Sequence, residues 1–366
     1  MGEARPLQAA GRTCVRQDGR VLTFFSGCDY FRLSSHRKIL RAVAQGLKEY
    51  GLNVAASRVT TGDHPLYGKL ERALARFFGA PAALLVSNGY ATNAVVAQAL
   101  RGKFSQVLID SRAHVSLRDA SRLFDAPVSA FKSRDPGDVR RLLAGCGANG
   151  KPILLTDGVY TYEGEVAPLA DYLKLIGGRG MILLDDAHGA GVLGRTGRGT
   201  PELAGVPRDR IIQTITLSKA FGVYGGAILC SRELREQMIA ESAVFAGSTP
   251  LPLPLAHAGL CALKILREDR SLRRRLNENA RYVKTALRET GLPVPMTPVP
   301  VVAITPASAA EANDLRRRLL ARGIYPSFIQ YPGGPPGGYL RVVISSEHSK
   351  KQLDDLINVL ARGGRL

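Results

Sequence analysis

A lysine, a pair of adjacent aspartates and a histidine stand where they can do chemistry. Lys219 lies in Thr214-Ile215-Thr216-Leu217-Ser218-Lys219-Ala220-Phe221-Gly222, just past an apolar run and just before the chain turns glycine-rich at Gly225-Gly226. A lysine drawn out of water loses basicity and gains nucleophilicity, which suits an imine to an aldehyde cofactor. Thr216 and Ser218 beside it can bond a phosphate. Taken singly, a surface lysine after a strand has the same appearance. Asp185-Asp186-Ala187-His188-Gly189 ends another apolar run. Acids just past a buried strand are costly unless exposed or paired, and ligands of open α/β sheets bind at the carboxyl ends of strands. Asp185 can offer a carboxylate to a cationic ring nitrogen, and His188 can reach a neighbouring oxygen. An ordinary acidic loop, or a metal site built from Asp and His, fits the same residue types.

Two further segments come directly after apolar runs. Ser87-Asn88-Gly89-Tyr90-Ala91-Thr92-Asn93 opens a helix. A glycine there leaves backbone N–H groups free to cradle a phosphate, while Ser87 or Asn88 can serve simply as an N-cap. Thr156-Asp157-Gly158-Val159-Tyr160-Thr161-Tyr162-Glu163-Gly164 can line the same crevice or form a Gly/Asp turn. Gly189-Ala190-Gly191-Val192-Leu193-Gly194 matches the dinucleotide fingerprint GxGxxG. Acids and a histidine separate it from its strand, and Arg195-Thr196-Gly197-Arg198-Gly199 stands where a helix should begin. A nicotinamide-binding site is therefore rejected.

The elements that must position these residues alternate between short apolar strands and helices. Strands are predicted at 83–86, 107–110, 153–157, 181–185, 211–216 and 227–230, as expected of buried parallel strands. Helices are predicted at 67–78, 90–100 and 168–176, giving the βαβ pattern of an α/β domain with helices on both sheet faces. After residue 251 the texture changes. Helices at 252–266, 276–287, 310–322 and 350–360 accompany strands at 301–304 and 340–344, and 332–338 is an irregular Pro/Gly loop. The division predicted is an N-terminal segment with a linking helix (1–50), a large cofactor-binding domain (51–250) and a small α+β C-terminal domain (251–366).

The chain has 366 residues, of which 45% are hydrophobic, enough for a substantial interior. No apolar run is long enough to span a bilayer, and the start lacks a secretory pattern. Cys14, Cys28, Cys146, Cys230 and Cys261 are odd in number and form no CxxC pair. Reduced thiols in the cytoplasm and no metal are expected. The net charge of +19 is arginine-rich but dispersed. Without aromatic residues interleaved among the basic ones, it reads as a solvated face rather than a nucleic-acid surface. It can also attract an anionic substrate such as a coenzyme A ester.

Taken in chain order, these segments resemble the α-oxoamine synthases, a family of fold-type I enzymes dependent on pyridoxal 5′-phosphate (PLP). The resemblance covers nearly the whole chain. Its most specific parts are Asp185-Asp186-Ala187-His188-Gly189 with Gly191-Val192, followed by Thr216-Leu217-Ser218-Lys219-Ala220. It implies an α/β fold: a large domain with a mostly parallel sheet sandwiched by helices, plus a smaller α+β domain. It implies that Lys219 carries PLP and moves protons at the substrate α-carbon, and that Asp185 pairs with the pyridine nitrogen. His188 and Thr161 would bond the phenolic oxygen, and His114 would stack on the ring. Gly89, Tyr90 and Thr216 would hold the phosphate, with Ser248 and Thr249 completing that site in the neighbouring subunit of a homodimer. Arg341 would bind the amino-acid carboxylate.

The reaction implied is condensation of an amino acid with an acyl-CoA, with loss of carbon dioxide. The alternatives are an aminotransferase, another PLP enzyme acting on amino acids, or a basic binding protein on a retired scaffold. Three positions depart from the family pattern. Cys28 stands for an asparagine, Arg32 for a glycine, and Tyr67 for the histidine of H-x-x-L-E, with His64 close by.

Overall fold

A computed structural model describes residues 6–147, 149–162, 164–330 and 338–361. Glu163, the 332–337 part of the Pro/Gly loop and the first five residues lie outside the described residues. By its contacts the chain divides into two compact units, one of residues 36–159 and 166–268, the other of 1–35, 160–165 and 269–366. No helix among the described residues is long and apolar enough to cross a membrane.

The larger unit is built on a seven-stranded sheet. Its order is Ala82–Val86, Gly226–Cys230, Ile211–Thr216, Met181–Asp185, Pro152–Asp157, Gln106–Asp110, Val128–Phe131. The last five strands are mutually parallel, and Gly226–Cys230 runs antiparallel to both its neighbours. Strands such as Ala82–Val86 and Ile211–Thr216 are buried along their whole length, which is why they are continuous apolar runs without alternation. Val128–Phe131 has no counterpart among the strands predicted from sequence. It is the edge strand, largely open to solvent, so no apolar run marks it.

Register sets the site. Asp185 lies opposite Asp157 on one side and Thr214 on the other, at the carboxyl ends of three adjacent parallel strands. Helix Gly89–Ala99 comes directly after Ala82–Val86, capped by Asn88, whose side chain accepts the Ala91 N–H. Val95, Val96, Ile109, Leu117, Leu155, Leu183 and Ile212 belong to one buried core of helix and sheet side chains. Helices Arg37–Tyr50 and Leu253–Glu268 also belong to this unit and pack closely. A Cβ built at Gly46 would come within 2.9 Å of Pro254 Cα, so this crossing admits only glycine without a backbone shift.

The smaller unit holds an antiparallel sheet ordered Val301–Ile304, Tyr339–Val343, Phe328–Ile329. Helices Arg270–Glu289, Ala309–Ala321 and Lys350–Ala361 supply Val283, Leu287, Leu315, Leu319, Leu353 and Leu356 to a core shared with Phe25, Val302, Leu340 and Val342. The N-terminal strands Gln8–Ala9, Cys14–Gln17 and Arg20–Thr23 form a second small antiparallel sheet.

Candidate active site

Lys219 sits in the turn between Ile211–Thr216 and Gly226–Cys230. Backbone bonds Leu217 N–H to Gly225 O (2.9 Å), Val223 N–H to Leu217 O (3.0 Å) and Gly222 N–H to Lys219 O (3.0 Å) fix the turn. The Lys219 Nζ is 2.8 Å from His188 Nε2. His188 lies beyond Met181–Asp185 in a loop closed by the Gly189 and Ala190 amides donating to Asp186 O. An amine and an imidazole nitrogen at hydrogen-bond distance can pass a proton between them and to a third group.

Asp185 is buried and held by donors. Its Oδ2 accepts from Asn93 Nδ2 (2.8 Å) and Ser116 Oγ (3.3 Å), and its Oδ1 from the Ala187 N–H (3.2 Å). Asn93 is itself oriented by Thr214, whose hydroxyl donates to Asn93 Oδ1 (2.9 Å). A carboxylate supplied with donors in this way is fixed as an acceptor for a cation. Asp157, across the register, accepts the His114 N–H through Oδ2 (2.8 Å). Burial, and then the neighbouring Asp185 charge, push the Asp157 carboxyl well above its usual range.

His114 caps helix Val115–Ser121, and its Nδ1 is 2.8 Å from Ser116 Oγ. The ring keeps an exposed surface. The protein packed around it pushes its imidazole below the ordinary range; Asp185 opposes this, and Lys219 and Arg118 add to it. The shift favours the neutral ring, which suits a flat stacking surface.

The amides of Gly89 and Tyr90 begin helix Gly89–Ala99 and have no carbonyl partner within it. A Cβ at Gly89 would lie 2.8 Å from Thr216 Cβ, so only glycine lets the helix start approach that strand end. Thr216 Oγ1 donates to Gly225 O and accepts the Ser218 N–H, both at 3.2 Å. Free amides, a helix N-terminus and a hydroxyl together make an anion cradle. The donor set and the cradle fit a phosphorylated aldehyde with a cationic ring: one amine, one buried carboxylate, one flat ring, one phosphate seat.

The other expected residues belong to other segments. Ser248 comes just after the short helix Ala243–Gly247 and donates to Val244 O (2.5 Å), with Thr249 next to it. Thr161 and Arg341 belong to the smaller unit. Thr161 is in the turn closed by the Gly164 N–H bonding Tyr160 O, and Arg341 is on Tyr339–Val343. Among the described residues the buried Arg341 Nε has no hydrogen-bond partner. The glycines of the rejected dinucleotide motif form a loop in which Gly191 and Gly194 have φ of +82° and +85°. The helix after it, Thr200–Leu203, has only four residues.

Sequence reasoning placed Asp157 and Asn93 in segments that could line the crevice but gave neither a role of its own, and it gave Ser116 none. The one available signal for Asn93 was its spacing, four residues after Gly89 on the same helix.

Asp186 turns away from Asp185, as neighbours leaving a strand do. It accepts from Thr200 Oγ1 (2.6 Å), the Thr200 N–H (3.0 Å) and Gln213 Nε2 (2.6 Å), and so pins the 189–199 loop. Burial pushes its pKa up to about 7 against the pull of those donors. A carboxyl raised above its unfolded value favours the fold at low pH, and that contribution is lost as pH rises from about 4 to about 7. Between pH 5 and pH 7 the wild type should lose about 2 kcal/mol more unfolding free energy than Asp186→Asn. Urea melts of both proteins at the two pH values check this, and equal losses would refute it.

The comparisons with known proteins agree with this geometry. Residues 26–360 match the family model described as aminotransferase class I and II. The 8-amino-7-oxononanoate synthase of Thioalkalivibrio sulfidiphilus is 34% identical over 95% of this chain and 90% of its own. That of Trichlorobacter lovleyi is 32% identical over 100% of this chain and 95% of its own. Serine palmitoyltransferase of Sphingomonas wittichii superposes with a TM-score of 0.91 at 27% identity, covering 98% of this chain and 91% of that one. On the family model and on relatives of 32–34% identity over nearly the whole chain, the chain belongs to the α-oxoamine synthase family of fold-type I, PLP-dependent transferases.

Proposed function

We propose that this enzyme condenses an amino acid with an acyl-CoA thioester, with loss of carbon dioxide, to give an α-amino ketone, as an 8-amino-7-oxononanoate synthase does. The observation that carries the reading is the Lys219 amine 2.8 Å from His188 Nε2, on loops leaving the strands that also present Asp185. It is supported by the names of relatives that match over nearly the whole chain.

PLP, when bound, supplies the aldehyde for Lys219 and an electron-withdrawing ring next to the substrate α-carbon. In this reading Asp185 would keep the ring nitrogen of the cofactor protonated, and His114 would stack on the ring. The amides of Gly89 and Tyr90, with Thr216, would hold the phosphate, and His188 would bond the phenolic oxygen, a role the family resemblance also gives to Thr161. Lys219 takes the α-proton of the amino acid. The α-carbon then bonds to the thioester carbonyl carbon as the carbon–sulfur bond breaks, and the departing coenzyme A thiolate takes a proton from solvent. The bond from the α-carbon to its carboxylate breaks to release carbon dioxide, and Lys219 returns a proton to that carbon.

Arg341 holds the substrate carboxylate, a role supported by its buried Nε, which has no hydrogen-bond partner among the described residues. Ser248 and Thr249 serve the phosphate of the neighbouring subunit in a homodimer. The net charge of +19 favours capture of an anionic acyl-CoA. A cytoplasmic setting agrees with five free thiols.

The test uses the holoenzyme with acyl-CoA esters of several chain lengths and carboxyl-labelled glycine, alanine or serine. Free thiol and labelled carbon dioxide should appear in equal amounts with one pairing. No thiol from any pairing, together with conversion of the cofactor to pyridoxamine phosphate by an amino acid alone, would replace this reading with transamination.

A further inference from the structure

We propose that Ser57 and Tyr67 are positioning residues that clamp the backbone on either side of Ser248 and Thr249, holding those two hydroxyls in place to bind phosphate. The proposal rests on the reading of Ser248 and Thr249 given above and adds how this chain aims them.

Residues 248–252 form no helix or strand. Two of them, Pro250 and Pro252, lack a backbone N–H, so the stretch cannot fix itself through its own ladder. Its order must come from outside. Ser57 Oγ donates to Ala246 O (2.5 Å), and Tyr67 OH donates to Leu251 O (2.7 Å). These bonds fall two residues before Ser248 and two residues after Thr249. Tyr67 is fully buried, so its hydroxyl has no water to turn to and the bond to Leu251 is its means of satisfaction.

The clamp is itself braced. The Arg58 guanidinium lies 5.0 Å from the Tyr67 ring centroid and 5.8 Å from that of Phe245, and so touches both the clamp and the helix that precedes Ser248. Arg58 donates to Glu71 Oε1 (2.5 Å) and Asp63 Oδ1 (2.7 Å). Glu71 is buried and also accepts from the Leu85 N–H (3.0 Å) and from Arg235 (2.8 Å). It thereby ties helix Pro65–Phe78 to strand Ala82–Val86 and to helix Arg232–Glu241. The turn carrying Ser57 is closed by the Gly62 N–H bonding Ser57 O (2.9 Å). Both ends of the clamp therefore start from rigid elements, and a hydroxyl placed that way can act as part of a binding site.

The test is PLP retention. Holoenzyme is dialysed against a series of PLP concentrations, and bound cofactor is measured for the wild type, Ser57→Ala, Tyr67→Phe, Thr249→Val and Tyr67→Phe/Thr249→Val. Ser57→Ala and Tyr67→Phe should each weaken PLP binding by about five-fold. Tyr67→Phe should add less than about two-fold when Thr249→Val is already present, because the clamp acts through that residue's segment. Equal weakening by Tyr67→Phe in both backgrounds would overturn the proposal. So would unchanged PLP binding in both Ser57→Ala and Tyr67→Phe when Thr249→Val is weakened. Unchanged binding in Thr249→Val would instead overturn the underlying assignment of Ser248 and Thr249.

Discussion

Lys219→Ala is expected to lower turnover by about 10³- to 10⁴-fold while leaving the fold intact, because it removes the amine that the proposed function assigns to carry the cofactor and move the substrate α-proton. The fold should survive because the turn around Lys219 is held by the backbone. Leu217, Val223 and Gly222 donate to Gly225, Leu217 and Lys219 carbonyls, and none of these bonds uses the lysine side chain. The neighbour that changes is His188, whose Nε2 loses the amine 2.8 Å away. Lys219→Arg sharpens the test. Arginine keeps the positive charge but stays protonated at any working pH, so it can neither attack an aldehyde nor accept a proton. It should be as inactive as the alanine variant. If charge alone mattered, Lys219→Arg would retain activity. Borohydride treatment followed by peptide mass analysis should place the cofactor's mass on Lys219 in the wild type and nowhere in Lys219→Ala. A variant that keeps more than a tenth of wild-type turnover would remove Lys219 from the chemistry.

The parts of this site legible in the sequence are those announced by strand ends. Met181–Asp185 and Ile211–Thr216 are buried runs that stop abruptly. Polar residues come directly after each, in Asp186-Ala187-His188 in one case and in Leu217-Ser218-Lys219 in the other. The glycine at position 89 was legible for the same reason. Its cause, the approach to Thr216, lies 127 residues along the chain and appears only in three dimensions. Asn93 carried only one local signal, its spacing from Gly89 on the same helix. Its meaning comes from Asp185 and Thr214, 92 and 121 residues away.

The departures from the family pattern divide along the same line. Arg32, where the family has a glycine, has a φ of +51°, a conformation that costs an L-residue about 1 kcal/mol. The glycine therefore has a backbone cause, and here Arg32 offsets the strain by donating to Phe24 O at 2.8 Å. Tyr67 replaces a histidine with a longer reach, and its hydroxyl arrives at Leu251 O. Sequence showed that these positions differ; only the backbone angle and the bonded partner show what the difference does. Two adjacent acids likewise gave no sign of their separate duties, because the change of face between Asp185 and Asp186 is a property of the pleat.

Asp185→Asn separates charge from shape, and its expected effect is a loss of about 10²- to 10³-fold in turnover. The structure can accept the amide. Ala187 can still donate to the retained oxygen, while the new Nδ2 meets Asn93. Asn93 can answer by flipping its amide, since Thr214 has a second acceptor in Leu184 O at 3.3 Å. Melting should therefore shift little while activity falls, and large losses of both would mean that Asp185 is chiefly structural. What the variant lacks is the negative charge that holds a proton on a ring nitrogen. The neighbouring Asp157 makes the test stricter. It stands in register with Asp185, and the Asp185 charge is one of the causes, after burial, that hold its carboxyl well above the usual range. Removing that charge makes Asp157 easier to ionise, so a negative charge can reappear one strand away while Asp185 is gone. If charge anywhere at these strand ends were enough, Asp185→Asn would recover activity as pH rises and Asp157 ionises, and Asp185→Asn/Asp157→Asn would not. In the proposed reading the proton has to be held at one atom of the cofactor ring, so no such recovery is expected. The pH–rate profile of the single variant should be flat and low across the range where the double variant's is also flat.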